Sequence, residues 1–306
     1  MSYAACRRCP RDCGLDRTAG RTGPCRSSDR VRVSHAVAHF GEEPPITGTR
    51  GSGTVFFVGC ALGCAFCQNH QISHHGQAGR EVPVPHLAEL FLALQVRGVH
   101  NLNLVTASPF TPSVVQALTL ARAEGLTLPV VWNSSGYERV DTLARLEGLV
   151  DVYLPDAKYA DAELAARLSN ARDYPDVNRA ALDEMFRQVG HLQVSAEGLA
   201  VRGLIVRHLA LPNHLDNTFA VLDALADRFG PGLHLSLMAQ YRPFGRTDRV
   251  GDADRPLTPD EAAVLPAWME RFGFQGWVQS LEAIDEGIPD FGRDAPFRWT
   301  DRPREP

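Results

Sequence analysis

The sequence predicts an α/β fold built on a parallel sheet, and three observations carry that prediction. Apolar, β-rich runs alternate with amphipathic helical stretches from about residue 54 to 280. Alternation of this kind implies parallel strands joined by right-handed crossovers. The strand ends carry polar clusters rather than plain turns: Cys60, "TASP" at 106–109, "NSSGYE" at 133–138, "PDAK" at 155–158, "LPNH" at 211–214 and "QYRP" at 240–243. In a barrel, chemistry collects at the C-terminal ends of the strands. Finally, no G-x-G-x-x-G follows a strand at a helix opening, so a nucleotide-binding doubly wound sheet lacks its main signature. A barrel, complete or partial, and an open doubly wound sheet are the architectures the pattern allows.

The elements follow in order. "TVFFVGC" reads as a buried strand ending at Cys60. "PHLAELFLALQVRG" sets Leu87, Leu90, Phe91 and Leu94 on one helical face, with Gly98 as its stop. "NLNLVTAS" is a second strand. The helix of "TPSVVQALTLARAEG" is expected to open with Thr111 as N-cap and Pro112 at the first helical position, and to close at Gly125. "LPVVWNSS" is a third strand, and a short helix near 138–147 leads to the fourth, "VDVYLPDAK". Helices near 160–169 and 175–189 precede the fifth strand, "GLIVRHLAL"; a helix near 216–228 precedes the sixth, "LHLSLMAQY". A helix over about 259–271 has the capping-box pattern Thr258-x-x-Glu261, and "FQGWVQS" is a candidate for one more short strand.

The domain expectation is a cysteine-rich module at 1–26, a connector at 27–52 with Pro/Gly turns in "GEEPPITGTRGSG", a barrel over 53–290 and an irregular tail at 291–306. With 306 residues, 44% of them hydrophobic, the chain can bury a substantial core. No apolar run approaches the roughly 18 residues of a membrane span, and the polar start "MSYAACRRCPRDC" lacks the apolar segment of a signal peptide. These features point to a cytoplasmic protein without a membrane partner, where cysteines serve more often as metal ligands than in disulfides. A net charge of −5 gives no electrostatic case for nucleic acid.

Of 31 basic residues, one is a lysine, Lys158. A chain that otherwise uses arginine invites a chemical explanation for it; the alternative is a leftover surface lysine.

Cys60-x3-Cys64-x2-Cys67 follows a buried strand and lies in a loop. Three thiolates can hold three irons of a [4Fe–4S] cube and leave the fourth open to a chelator such as S-adenosylmethionine. A zinc site that borrows His70 as fourth ligand is the geometric alternative. Cys6-x2-Cys9-x3-Cys13-x11-Cys25 offers four ligands, enough for a closed second metal site, either structural zinc or an auxiliary [4Fe–4S] cluster; Arg7, Arg8 and Arg11 beside it favour thiolates for both.

With Phe66 before its last cysteine, this motif resembles that of the radical S-adenosylmethionine (radical SAM) superfamily. "FCQNHQIS" is similar to the pyruvate formate-lyase activating enzyme family, and the ordered blocks "CPRDCGLDR", "GSGTVFFVGC", "NLNLVT", "NSSGYE", "VDVYLPDAKY", "DYPDV", "RGLIVRHLALP" and "QYRP" resemble its PflX-type branch over about 250 residues. The resemblance implies a partial (β/α)6 TIM-type barrel, a [4Fe–4S] cluster on Cys60, Cys64 and Cys67, and S-adenosylmethionine as cofactor. It also implies that Phe66 lies against the adenine. Asp156 and Lys158 match a D-x-K element lining the cofactor site, and Asn133, Ser134 and Ser135 match a polar turn at the third strand. A reductant such as flavodoxin or ferredoxin is implied, and a glycyl-radical enzyme as protein substrate; a small molecule or a peptide is the alternative. One departure stands out. "VTASPF" at 105–110 replaces the family's Gly-Gly-Glu-Pro turn, with Thr106 or Ser108 as candidate substitutes.

Among the remaining polar residues, His74 and His75 read as solvated loop residues and His208 as a satisfied histidine lining the barrel. Gln240, Tyr241 and Arg242 are candidate substrate contacts, with a structural turn as the alternative.

Overall fold

A computed structural model describes residues 3–74, 79–279, 281 and 288–297. Among the described residues there are ten strands: β1 (Arg32–His39), β2 (Ser52–Phe57), β3 (Arg80–Glu81), β4 (Leu102–Val105), β5 (Val130–Ser134), β6 (Val152–Pro155), β7 (Gln193–Val194), β8 (Ala200–Leu209), β9 (His234–Met238) and β10 (Gln275–Gln279). They form one sheet in the order β10-β9-β8-β6-β5-β4-β2-β1-β3, with β7 attached to β8. From β2 to β10 the central strands pair parallel, each with its successor in the chain once β3 and β7 are set aside. All six expected strands are present, and the short "FQGWVQS" strand is the seventh of the parallel run. Among the described residues the two ends of the sheet do not pair, so the barrel is open.

The crossovers are the helices Val84–Val96, Thr111–Ala123, Val140–Leu143, the pair Ala162–Ser169 and Tyr174–Val189, Leu215–Phe229, and Pro259–Ala263 with Leu265–Phe272. Their apolar faces and the outward side chains of the strands make the main core, with Leu87, Phe91, Leu104, Val114, Leu222 and Leu235 all buried. A smaller cluster fills the other face of the sheet. There Ile46, from the one-turn helix Pro44–Thr47, packs with Val131, Val152, Leu154 and Ile205.

Three expectations are corrected in detail. Thr111 is the first helical residue rather than the N-cap, which is Phe110; a 3-10 turn at Ser108–Phe110 runs straight into the helix, and the Thr111 hydroxyl donates back to the Ser108 carbonyl at 2.9 Å. The 259–271 helix is divided at Val264 because Pro266 has no N–H to offer the Ala262 carbonyl, although its Thr258/Glu261 capping box is formed. Residues 27–52 also hold more than turns. β1 lies antiparallel on β2, with a register shift between Val33 and His35.

Residues 3–26 contain no helix or strand. Backbone bonds from Cys6 N to Leu15 O (2.9 Å), Asp12 N to Cys9 O (3.0 Å) and Gly14 N to Cys6 O (2.9 Å) fold them into tight turns. They rest on the ends of the barrel: the Arg17 guanidinium donates to the Pro109 carbonyl at 2.7 Å, and the Thr142 hydroxyl to the Arg8 carbonyl at 2.8 Å. At the other end of the chain, Phe291 is buried with its ring 5.3 Å from Phe56, and Phe297 lies 5.4 Å from Phe56. Residues 298–306 and His75 lie outside the described residues. Among the described residues no helix is long and apolar enough to cross a membrane.

Candidate active site at the strand ends

β2 ends at Phe57, and the chain turns at Gly59 (φ 95°), where a side chain would meet the Cys25 carbonyl and the Ser27 hydroxyl at 2.4 Å each. The cysteine loop begins there. It is pinned from behind: Ala65 N donates to Leu168 O (2.7 Å), Arg246 N donates to Ala65 O (2.8 Å), and Arg11 donates to the Ala61 (2.9 Å) and Leu62 (3.0 Å) carbonyls. Cys64 is buried; Cys60 and Cys67 are partly open.

The donor set fits an iron–sulfur cluster. N–H groups of Gly63 and Leu62 are directed at the Cys60 sulfur, and the Asn69 N–H at that of Cys67, whose Sγ also lies 3.2 Å from the Ser73 hydroxyl. Such donors stabilise sulfur that carries negative charge. Burial, and then the neighbouring sulfurs, push the Cys67 thiol up to about 12 and raise that of Cys60. Burial also raises Cys64, with Lys158 acting against it. The three become thiolates only when a cation joins them. Among the described residues no three His, Cys, Asp or Glu side chains converge on a point suited to one metal ion. The His70 ring, the candidate fourth ligand of a zinc site, lies with Nδ1 3.2 Å from the Cys67 carbonyl.

Opposite the loop stand Asp156 and Lys158, just past the end of β6. Lys158 Nζ is 2.7 Å from Asp156 Oδ2, and the side chains are only 15% and 22% exposed. The lone lysine is thus no leftover surface residue. Burial works against its charge, but Asp156 outweighs burial and holds it above the ordinary lysine range. The backbone carrying this pair is clamped by groups that sequence reasoning did not single out. The Tyr174 hydroxyl lies 3.0 Å from the Asp156 carbonyl, and Asn178 donates to that carbonyl at 2.9 Å and to the Gly136 carbonyl at 3.1 Å. Asn217 donates to the Lys158 carbonyl at 3.0 Å. The one available signal was the "DYPDV" block, which contains Tyr174.

His208 is fully buried and satisfied: Nδ1 meets the Ala157 carbonyl at 2.5 Å and Nε2 the Thr218 hydroxyl at 3.0 Å. It faces the helix layer through Thr218 instead of lining the barrel, because it sits one residue past Arg207, which points to the opposite face. Burial lowers its pKa to about 4.

The polar turn of β5 is brought to the same end of the sheet. Asn133 is buried, with Oδ1 3.4 Å from an Arg207 nitrogen; Ser134 accepts from Gly136 N at 3.2 Å. Ser135 is half-buried, and its carbonyl accepts from the Tyr174 hydroxyl at 2.8 Å. At the altered turn after β4, Thr106 has φ 60°, a left-handed conformation that a β-branched residue rarely adopts. Ser108 is committed to Glu138, whose carboxylate accepts its hydroxyl at 2.6 Å and the Trp132 indole at 3.1 Å. A glutamate does reach this turn, from the neighbouring loop, and burial raises its pKa.

Phe66 is buried edge-on to Tyr241, ring centroids 5.5 Å apart. The Tyr241 hydroxyl donates to the Ala253 carbonyl at 2.7 Å, and the Gln240 side chain bonds to Gln279, so both serve the local structure. His74 is buried rather than solvated: its N–H caps the helical turn His70–Ser73, whose Ile72 and Ser73 pack inward.

The sequence profile of the Radical SAM superfamily matches residues 54–204, from β2 to β8. Over 268 residues the chain is 31% identical to the uncharacterized protein MJ0674 of Methanocaldococcus jannaschii, covering 85% of this chain and 72% of that one.

The chain belongs to the radical SAM superfamily.

Its fold resembles that of a radical SAM methyltransferase from Sphaerobacter thermophilus, with a TM-score of 0.50 and 17% identity over 74% of this chain. Methylornithine synthase (PylB) has a TM-score of 0.49 and 14% identity over 71% of it. This radical SAM protein spans 65% and 60% of the lengths of those two chains. The large parallel sheet with its helix layer is like the partial TIM-type barrel of the Sphaerobacter protein, and as a member of the superfamily the chain is a radical SAM enzyme, which implies a [4Fe–4S] cluster and S-adenosylmethionine.

Proposed function

We propose that this enzyme abstracts hydrogen from its substrate with a 5′-deoxyadenosyl radical formed at the Cys60–Cys67 loop. The observation that carries the reading is the convergence of three cysteines on one loop with the Asp156–Lys158 pair beside them. When bound, the cluster and S-adenosylmethionine supply the electron and the sulfonium whose reductive cleavage yields the radical. The chain's own groups do the rest. Cys60, Cys64 and Cys67 hold iron, and Lys158 offers a positive charge suited to a cofactor carboxylate while Asp156 keeps it oriented. Asn133 and Ser135 offer polar contacts to the ribose or the methionyl group, and Phe66 an apolar wall for the adenine that keeps water out. An external reductant such as flavodoxin or ferredoxin supplies the electron.

The resemblance to activating enzymes supports a glycine on a partner enzyme as the substrate. A second reading, a small molecule or a peptide, is favoured by the altered turn after β4, where "VTASPF", with Thr106 at φ 60°, stands in place of the activating enzymes' Gly-Gly-Glu-Pro. Anaerobic reconstitution with iron and sulfide, then dithionite and S-adenosylmethionine, should give 5′-deoxyadenosine, and Cys64→Ala should abolish it; absence of the product from the wild type would sink the proposal. A glycyl-radical doublet on mixing with a glycyl-radical enzyme separates the two substrates.

A further inference from the structure

The four N-terminal cysteines line one cavity, together with Ala61, Ser108 and Pro109 from the barrel's own loops. Cys6 and Cys25 are buried, while Cys9 and Cys13 are partly open. No disulfide joins any of them.

Three arginines line the same cavity. Arg17 is 1% exposed and directs Nη1 at the Cys6 sulfur, 3.7 Å away. Arg8 is buried beside it, and both guanidiniums stack on Tyr3, at 4.1 Å for Arg8 and 4.9 Å for Arg17. Buried guanidiniums need negative charge nearby, and four thiolates around a metal centre provide it. A centre that gains an electron gains a further negative charge, which this setting stabilises, and N–H donors on ligand sulfurs are a recognised means of tuning cluster potentials.

The cavity also adjoins the active-site loop. Arg11, between Cys9 and Cys13, places its guanidinium on the carbonyls of Ala61 and Leu62, the residues between Cys60 and Cys64. The Cys25 carbonyl fills the space that a side chain on Gly59 would need, next to Cys60. Neither of these contacts is required of a knuckle that only stabilises a terminus.

We propose that Cys6, Cys9, Cys13 and Cys25 hold a second, fully ligated iron–sulfur cluster, and that it is the station through which a one-electron carrier protein feeds the open site. The electron leaves a reduced low-potential carrier of the iron–sulfur or flavin class, reduces the second cluster by one electron and passes to the first. No bond forms or breaks at this stage and no proton moves. The relay rests on the radical SAM reading; the occupancy of the second site does not.

The test uses the full chain, reconstituted anaerobically, as wild type, as Cys64→Ala and as Cys9→Ser/Cys13→Ser. The wild type should carry about eight irons and each variant about four, with zinc well below one per chain. Because Cys64→Ala leaves the N-terminal cysteines intact, its iron reports on that site whatever happens to the folding of the other variant. One zinc or no metal in Cys64→Ala overturns the proposal. The reduced wild type should show an electron paramagnetic resonance signal broadened by two neighbouring spins, and each variant a simple single-cluster spectrum. Reduction of the Cys60–Cys67 cluster by reduced flavodoxin, followed by stopped flow, should slow at least tenfold in Cys9→Ser/Cys13→Ser; an unchanged rate overturns the relay. If wild type makes no 5′-deoxyadenosine while Cys64→Ala still holds iron, the proposed function fails and the second cluster stands.

Discussion

Lys158 and His208 show how far the chemistry of single residues was readable. The lysine stood out by count alone, and the structure gives the reason, a 2.7 Å pair with Asp156 facing three cysteines. Removing one partner leaves the other's charge uncompensated in a partly buried site. With 15% and 22% of the two side chains still exposed, Lys158→Met should cost about 1–3 kcal/mol in urea unfolding, and adding Asp156→Asn should recover part of it. His208 was legible as a satisfied histidine but not as one facing the helices, because its partners, Ala157 and Thr218, come from other parts of the chain. Its folded pKa of about 4 lies below the usual 6.5, so below pH 6.5 the unfolded chain binds the extra proton. Stability from this group is full above pH 6.5 and falls between pH 6.5 and 4, by about 3 kcal/mol. His208→Gln should flatten that part of the pH dependence of the urea midpoint.

At the scale of elements, local patterns located most strands and helices, and the exceptions have local causes. β1 escaped notice because "RVSHAVAH" mixes Arg, Ser, His and Ala, weak strand formers, on a strand that is mostly half-buried. The helix of 162–169 was evident, and the structure shows Asp161 capping its start and Asn170, in the left-handed region, closing its end. The turn after β5 matters most for the site. Gly136 has φ 67°, and a side chain there would come within 2.2 Å of both the Asp156 carbonyl and the Asn178 amide. Gly136→Ala should therefore destabilise the protein by about 2–4 kcal/mol and weaken S-adenosylmethionine binding, measured by calorimetry, since it displaces the backbone that carries Asp156 and Lys158. Unchanged binding would show that the turn and the D-x-K element are uncoupled.

The whole molecule is tied together by a group that no local pattern announced. Arg207 of β8 forms ion pairs with Glu42 and Glu43, more than 160 residues earlier, with Glu43 Oε1 2.7 Å from its Nε. Burial opposes the Glu43 charge, yet Arg207 holds its pKa below the ordinary range. The stretch read as a connector is thus locked into the barrel, on the face that Ile46 also fills. Arg207→Met would leave two carboxylates buried without their cation and should cost about 3–5 kcal/mol in chemical denaturation. A cost below 1 kcal/mol would mean that water reaches the pair.

By itself the sequence determined the alternation of strands and helices and the three-cysteine loop, because each depends on spacing within a few residues; the D-x-K element was legible only through the family resemblance. Hydrophobic period and ligand spacing are local quantities and survive in one dimension. Only the tertiary structure decided which distant groups meet: the cavity shared by four N-terminal cysteines and the barrel loops, the arginine reaching from one cysteine set to the other, the clamp of Tyr174, Asn178 and Asn217 on residues 156–158, and the Arg207–Glu43 pair. Those contacts follow from the order of strands in the sheet and the helices packed on it, and side-chain identity alone carries no record of which strand will lie beside which.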